Sequence, residues 1–157
     1  MRILLCHNFY RYRGGEDVFV EKLATLLESK GHLVRWLAAD SRNLADQGFL
    51  KRLQSGLGAL YSTETVRRVE EQIASFQPDV AHVHNVFPQL SPSLYTVLAR
   101  YNLPVIQHLH NFRFLCPNGL FYTHGEICQR CMGGNFIHAV RLRCLHGSLA
   151  QSAAYAA

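Results

Sequence analysis

Three groups of residues in this 157-residue sequence have the types and spacing to do chemistry. The first is a repeated pair, His7-Asn8, His84-Asn85 and His110-Asn111, in which an imidazole and an amide stand side by side. Neutral imidazole makes one directed bond to a sugar hydroxyl or a phosphate, and its protonated form adds charge. Asn85 and Asn111 have a second reading as turn residues that bond nearby backbone. The second group is Gly14-Gly15, flanked by Arg11 and Arg13. Backbone without a Cβ lets a ligand come close, and amides opening a helix suit a phosphate or carbonyl-like oxygen. A plain turn with two surface arginines is the alternative, and Glu16 is explained by the preference of carboxylates for a helix N-terminus.

The third group is Cys116-x11-Cys128-x2-Cys131-x12-Cys144, with Gly119, Gly125, Gly133 and Gly134 supplying bends and His124, His138 and His146 as substitute ligands. One Cys-x2-Cys pair plus two outlying cysteines can satisfy a tetrahedral structural zinc site, although the usual second close pair is missing. Unligated reduced thiols, disulfides and redox chemistry stay open. Cys6 reads as a small core residue.

These groups need elements to position them. Residues 2–7 form a short apolar run, and Val18, Leu23, Leu26 and Leu27 recur with helical spacing as far as a stop at Gly31. Val34 to Ala38 is a second strand. From about Asp40 to Tyr61 the pattern weakens into loop and one imperfect helix. Residues 64–75 regain helical periodicity, and the strand 80–84 follows Pro78. Ser91-Pro92 opens a helix to about Tyr101, with serine as cap and proline as first helical residue, and Val105 to Leu109 is the next strand. Strands alternating with helices predict a Rossmann-like three-layer α/β/α domain with a mostly parallel sheet covered on both faces. Ligands of such sheets bind beyond the carboxyl ends of the strands, where all three His-Asn pairs fall. His82 and His84 share one face, as do His108 and His110. His82 and His108 read as satisfied core residues under a helix, and His84 and His110 as strand-end residues reaching a crevice.

Composition narrows the function classes. Hydrophobic residues make up 48% and charged residues 17%, which suits one well-cored domain rather than a disordered chain. The formal charge is +5, but residues 79–157 hold only five arginines, no lysine, Asp79 and Glu126. That balance admits an anionic ligand without the basic-aromatic patch of a nucleic-acid binder, so no nucleic-acid partner is expected. No signal-peptide pattern or bilayer-length apolar run occurs, so a cytoplasmic domain is expected, and the odd number of cysteines favours reduced thiols or metal. No GxGxxG follows strand one, and neither a P-loop nor GxSxG occurs.

MRILLCHNFYRYRGGEDVFVEKLATLLESKGH, PDVAHVHNVFPQLSPSLY and LPVIQHLHNFRFLCPNG, in this order, resemble the N-terminal domain of family-4 glycosyltransferases of the GT-B fold. CQRC and RLRCLHGSLAQS resemble a variant segment of some members, within a Cys/Gly-rich subregion over 112–146. The resemblance implies acceptor binding here, and a nucleotide-sugar donor held mainly by a second domain absent from 1–157. It implies retaining transfer to a glycan or lipid-linked acceptor, as in cell-envelope polysaccharide synthesis, with peripheral inner-membrane association through the acceptor. It further implies that Gly14 and Gly15 lie near donor diphosphate and acceptor and that His110 is the cleft histidine near the transferred sugar. His84, Asn85, Asn111 and Arg113 would belong to acceptor-side walls, and Arg11 and Arg13 would contact an anionic acceptor. Residues 1–157 alone are expected to have negligible transferase activity. The competing reading is a non-catalytic, zinc-stabilised binding or regulatory module with the same half-fold.

Overall fold

The computed structural model describes residues 1–10, 12–40, 61–87 and 89–156. Arg11 and residues 41–60, where the imperfect helix is expected, lie outside the described residues. Two compact units, Met1–His108 and Leu109–Ala157, make up the chain.

In the first unit, β1 (Arg2–Phe9) leads into α1 (Gly15–Ser29), β2 (Leu33–Asp40), α2 (Thr63–Phe76), β3 (Val80–Val83), α3 (Ser93–Arg100) and β4 (Val105–Gln107). The strands form one parallel sheet in the order β2-β1-β3-β4, the α/β arrangement that the alternating pattern predicts. Two-residue alternation divides β1 between the faces. Leu4 and Cys6 join Leu37, Val69, Ala81, Val83, Leu94, Val97 and Leu98 in the larger core beside α2 and α3, while Leu5 packs with Val20 and Ala24 of α1. Burial pushes the Cys6 thiol up to about 12, which fits its reading as an inert core residue.

The helix ends follow local chemistry. Ser62 Oγ accepts from Thr65 N at 3.1 Å and starts α2, and Gln77, left-handed at φ 50°, closes it before Pro78. Gly31, at φ 80°, ends the turn after α1, and its amide donates to the Glu28 carbonyl at 2.9 Å. The opening of α3 differs from expectation. Pro92 is the cap rather than the first helical residue, and the Ser91 hydroxyl bonds that of Ser93 at 2.6 Å. Ser91 is itself left-handed at φ 36°, so its side chain turns into the buried Ser62–Ser93 contact instead of capping amides.

β4 is shorter than expected. It stops at Gln107, whose side-chain amide donates to the carbonyls of His84 and His108 at 2.9 and 3.1 Å, so His108 and His110 do not share a strand face. Coverage is also incomplete there. α1 contacts β1 and β2, and Ile106 on the edge strand β4 is 53% exposed.

The second unit is built from short pieces: β5 (Tyr122–Thr123), β6 (Glu126–Ile127), α4 (Ile137–Arg141) and α5 (Leu149–Ala156). His124 and Gly125, both at positive φ, make the two-residue turn of the β5–β6 hairpin. His124 Nε2–H also donates to the Leu142 carbonyl at 2.7 Å, and Leu145 N donates to the buried Ser152 Oγ at 3.1 Å. Among the described residues no helix is long and apolar enough to cross a membrane.

Candidate functional site

The parallel register sets the site's frame. Cys6 lies opposite Val83, and Val83 opposite Gln107, so the next residue of each strand line forms a row across the carboxyl edge: His7, His84 and His108. The row therefore ends in His108 rather than His110. Ring centroids of His84 and His108 are 5.1 Å apart, those of His7 and His84 6.1 Å, and His82 stacks on His84 at 4.5 Å. Phe19 of α1 packs on His108 at 4.7 Å. His82 is only half-buried and its Nε2 has no hydrogen-bond partner among the described residues, so it is not a satisfied core histidine. Burial holds the His82 pKa below the ordinary histidine value, and the neighbouring charge of His108 acts in the same direction.

His7 carries the clearest electrostatic device of this unit. It is fully buried, and its Nε2–H donates to Asp17 Oδ1 at 2.9 Å. Burial lowers its pKa, outweighing the opposing pull of Asp17, so the ring is held neutral, and Glu16 Oε1 lies 3.9 Å from Nδ1. Asp17, also buried, accepts from Gly14 N at 3.0 Å through its other oxygen and from Tyr10 N at 3.5 Å. The Tyr10 hydroxyl donates to Glu16 at 3.1 Å. This network ties the end of β1 to the first turn of α1 and fixes the glycine loop between them. The sequence reading passed over Asp17. Its signal was a histidine at the end of a strand and an aspartate at the third position of the next helix, where a carboxylate reaches back to the cap amide.

The glycines themselves are unconstrained. Gly14 has extended backbone at φ −114° and ψ −178°, Gly15 opens α1 without positive φ, and among the described residues nothing lies within 4 Å of where either Cβ would stand. Neither the turn nor the packing of the described residues demands glycine at these positions. Arg13 is exposed and pairs with Glu21 one helical turn or more along α1, so its charge faces the helix surface.

Asn85 acts as a clasp. Its Nδ2 donates to the carbonyls of Asn8 and Phe87 at 3.2 and 3.1 Å, and its Oδ1 accepts from Phe87 N at 3.2 Å. Asn8 N donates to the Asn85 carbonyl at 2.7 Å, and Asn8 Oδ1 accepts from Gln89 N at 3.3 Å. The loop after β3 is thus tied to the end of β1.

His110, Asn111 and Arg113 belong to the second unit. Asn111 Oδ1 accepts from Arg113 N at 3.0 Å in a turn of its own, and the Arg113 guanidinium lies 4.9 Å over the Tyr155 ring. His110 is half-buried. Burial pushes the Cys131 thiol up, the Ala139 backbone amide opposes this, and Cys116, Cys144 and Cys128 raise it further as like charges. All four cysteines are free thiols, and among the described residues no three His, Cys, Asp or Glu side chains stand close enough to hold a metal ion as they are.

A family model described as Glycosyltransferase Family 4 matches residues 13–130, three quarters of the chain and parts of both units. The chain belongs to Glycosyltransferase Family 4. No curated protein and no solved structure matches it. The family-4 match takes in Gly14, Gly15, the row of strand-end histidines except His7, and His110 to Arg113, while Arg11 and Cys144 lie beyond its limits. Membership accounts for the Rossmann-like sheet of this glycosyltransferase chain and brings a sugar donor and an acceptor with it in general terms.

Proposed function

We propose that this chain is the acceptor-binding part of a retaining glycosyltransferase that moves a sugar from a nucleotide-sugar to a glycan or lipid-linked acceptor in the cytoplasm, meeting the inner membrane through that acceptor. The observation that carries the reading is the spare glycine pair. Gly14 and Gly15 sit at the carboxyl edge of the sheet with ordinary backbone angles and, among the described residues, open space around their missing side chains. Backbone left bare where folding does not require it suits close approach by a substrate.

Charge favours one kind of contact at this loop. Glu16 and Asp17 occupy the first turn of α1, so the helix dipole is already met by carboxylates. Hydroxyl groups of a sugar acceptor, donating to Glu16 and accepting from the first amides of α1, fit this end better than a bare phosphate. Asp17 and neutral His7 are positioning residues that hold the Gly14 amide.

In the transfer itself the bond between the anomeric carbon and the leaving phosphate oxygen breaks, and a bond from that carbon to the acceptor oxygen forms on the same face. The acceptor proton passes to the departing phosphate oxygen, and fixed dipoles stabilise the oxocarbenium-like centre. In this reading His110 orients the transferred sugar or polarises its hydroxyl. The test is transfer by the whole gene product, with a panel of nucleotide-sugars and glycan or lipid-linked acceptors and mass spectrometry of the products. His110→Ala should lower kcat by about 10²-fold or more. Wild-type turnover in that variant would remove His110 from the reaction.

A further inference from the structure

The arginines of the two units are employed differently. In the first unit each of the six described arginines has a partner. Arg2 pairs with Asp79, Arg13 with Glu21, Arg67 with Glu64 and Glu71, and Arg100 with Glu70, while Arg35 donates to Ser75 Oγ and Arg68 to the Ala38 carbonyl. The second unit holds Arg113, Arg130, Arg141 and Arg143, no lysine, and the single acid Glu126. Among the described residues none of these four guanidinium groups makes an ion pair or a hydrogen bond, and only that of Arg113 has a ring contact, with Tyr155.

Apolar side chains stand exposed beside them. Tyr122 and Ile127 are direct partners across the β5–β6 hairpin, so they share one of its faces, and both are exposed. Glu126 lies opposite Thr123 and therefore belongs to the other face. The hairpin turn is held to the segment after α4 by the His124 Nε2–H bond to the Leu142 carbonyl, at 2.7 Å, and the exposed Arg141 and Arg143 flank Leu142. Ile137 and Arg141 are four residues apart on α4 and both exposed, so an aliphatic and a cationic group share a face of that helix. Arg130 and Met132 are exposed on either side of Cys131. Phe112, also exposed, packs its ring 4.9 Å from that of Phe121 at the start of the hairpin.

We infer that the second unit rests on an anionic phospholipid surface through the Tyr122–Ile127 face of its hairpin and the arginines beside it. Arginine alone would suit any polyanion, since its planar fork takes a phosphate through two parallel hydrogen bonds. Ile127, Met132 and Ile137 decide the class of partner. Exposed aliphatic side chains gain little from the phosphates of a nucleic acid, and they leave water at the boundary between headgroups and acyl chains. Tyr122 suits that boundary with an apolar ring and a polar tip, and the arginine stems lie along it while their charged ends reach the headgroups. This contact goes beyond the proposed function, in which the membrane is met through the acceptor, because it needs no acceptor.

The test is sedimentation of the whole gene product with vesicles of phosphatidylglycerol and phosphatidylcholine in equal parts, free of glycolipid. The protein should pellet with these and stay in solution with vesicles of phosphatidylcholine alone. Arg141→Gln combined with Arg143→Gln should weaken partitioning by about 30-fold, and Ile127→Ser by about 10-fold. Arg67→Gln combined with Arg100→Gln removes the same charge from paired positions and should leave partitioning unchanged. If a variant does not fold, the unaltered protein decides: bound vesicles should shield Arg130, Arg141 and Arg143 from an arginine reagent, read by mass spectrometry. No pelleting with the anionic vesicles, an equal loss from the paired arginines, unchanged reactivity of the three arginines, or preference for a nucleic-acid oligomer at the same salt would each overturn the inference. Pelleting that begins only when a lipid-linked acceptor is added would overturn it and leave the proposed function in place.

Discussion

Leu94 and Ile127 are both large aliphatic side chains, and they stand for two ways of making a fold. Leu94 is fully buried in the first unit, one of a dozen mutually packed residues between the sheet and its helices. Ile127, in the second unit, is 79% exposed on a two-residue strand. The strand-helix repeat hides aliphatic surface on two faces, worth about 1.5–3 kcal/mol for each fully buried side chain, so its connecting loops need little from their own residues. That is why Gly14 and Gly15 can be left bare. The second unit relies on directed bonds and turns, with Phe121, His124, Arg143 and His146 all at positive φ, a conformation that costs a residue with a Cβ roughly 1–2 kcal/mol.

The largest expected effect tests that contrast. Leu94→Ala should destabilise the first unit by about 2–5 kcal/mol in urea unfolding, with the value set by how far the site collapses. Ile127→Ala should stay within about 0.5 kcal/mol. Equal costs would erase the distinction between the units. Next in size is the polar device at the glycine loop. Asp17→Ala leaves the buried His7 Nε2–H and the Gly14 amide without their acceptor and should cost about 1–3 kcal/mol, with Asp17→Asn losing less.

A smaller effect comes from pH. His7 and His82 both have pKa values lowered by burial from an ordinary 6.5, so the unfolded chain takes up their protons first. Stability of the first unit should therefore be fully present above pH 6.5 and decline as pH falls below it. His7→Gln should flatten the decline, and a midpoint that rises on acidification would reverse the sign assigned to these histidines. The smallest effect is at Gly15. Alanine there meets nothing among the described residues and has an accessible backbone conformation, so stability should rise by no more than about 1 kcal/mol.

Much of the first unit was legible because its periodicity is strong. β1, α1, β2, α2, β3 and α3 lie where apolar spacing, Gly31, Pro78 and the segment after Ser91 put them, within a few residues at their ends. β4 was overextended, since Leu109 and the histidines beside it continue an apolar alternation that the strand pairing does not follow. The two-residue rule found the His82–His84 stack, and it could not find the His7–Asp17 contact, which depends on how a loop folds back over ten residues. Asn85 and Asn111 show the limit of motif reading: the same His-Asn pair gives, in both units, an asparagine engaged in a turn. The cysteine spacing marked out Cys116, Cys128, Cys131 and Cys144, but it could not show the turns that Cys116 and Cys131 open, which the Gly119 and Gly134 amides close.

Under the proposed function Gly14 and Gly15 are bare for the substrate and not for the fold. Gly15→Val in the whole gene product measures it most directly, by kcat/KM for sugar transfer beside the thermal midpoint of the same variant. kcat/KM should fall by at least about 10-fold, or ~1.4 kcal/mol, with the midpoint unchanged. Unchanged transfer, or a loss explained by an equal fall in stability, would contradict it.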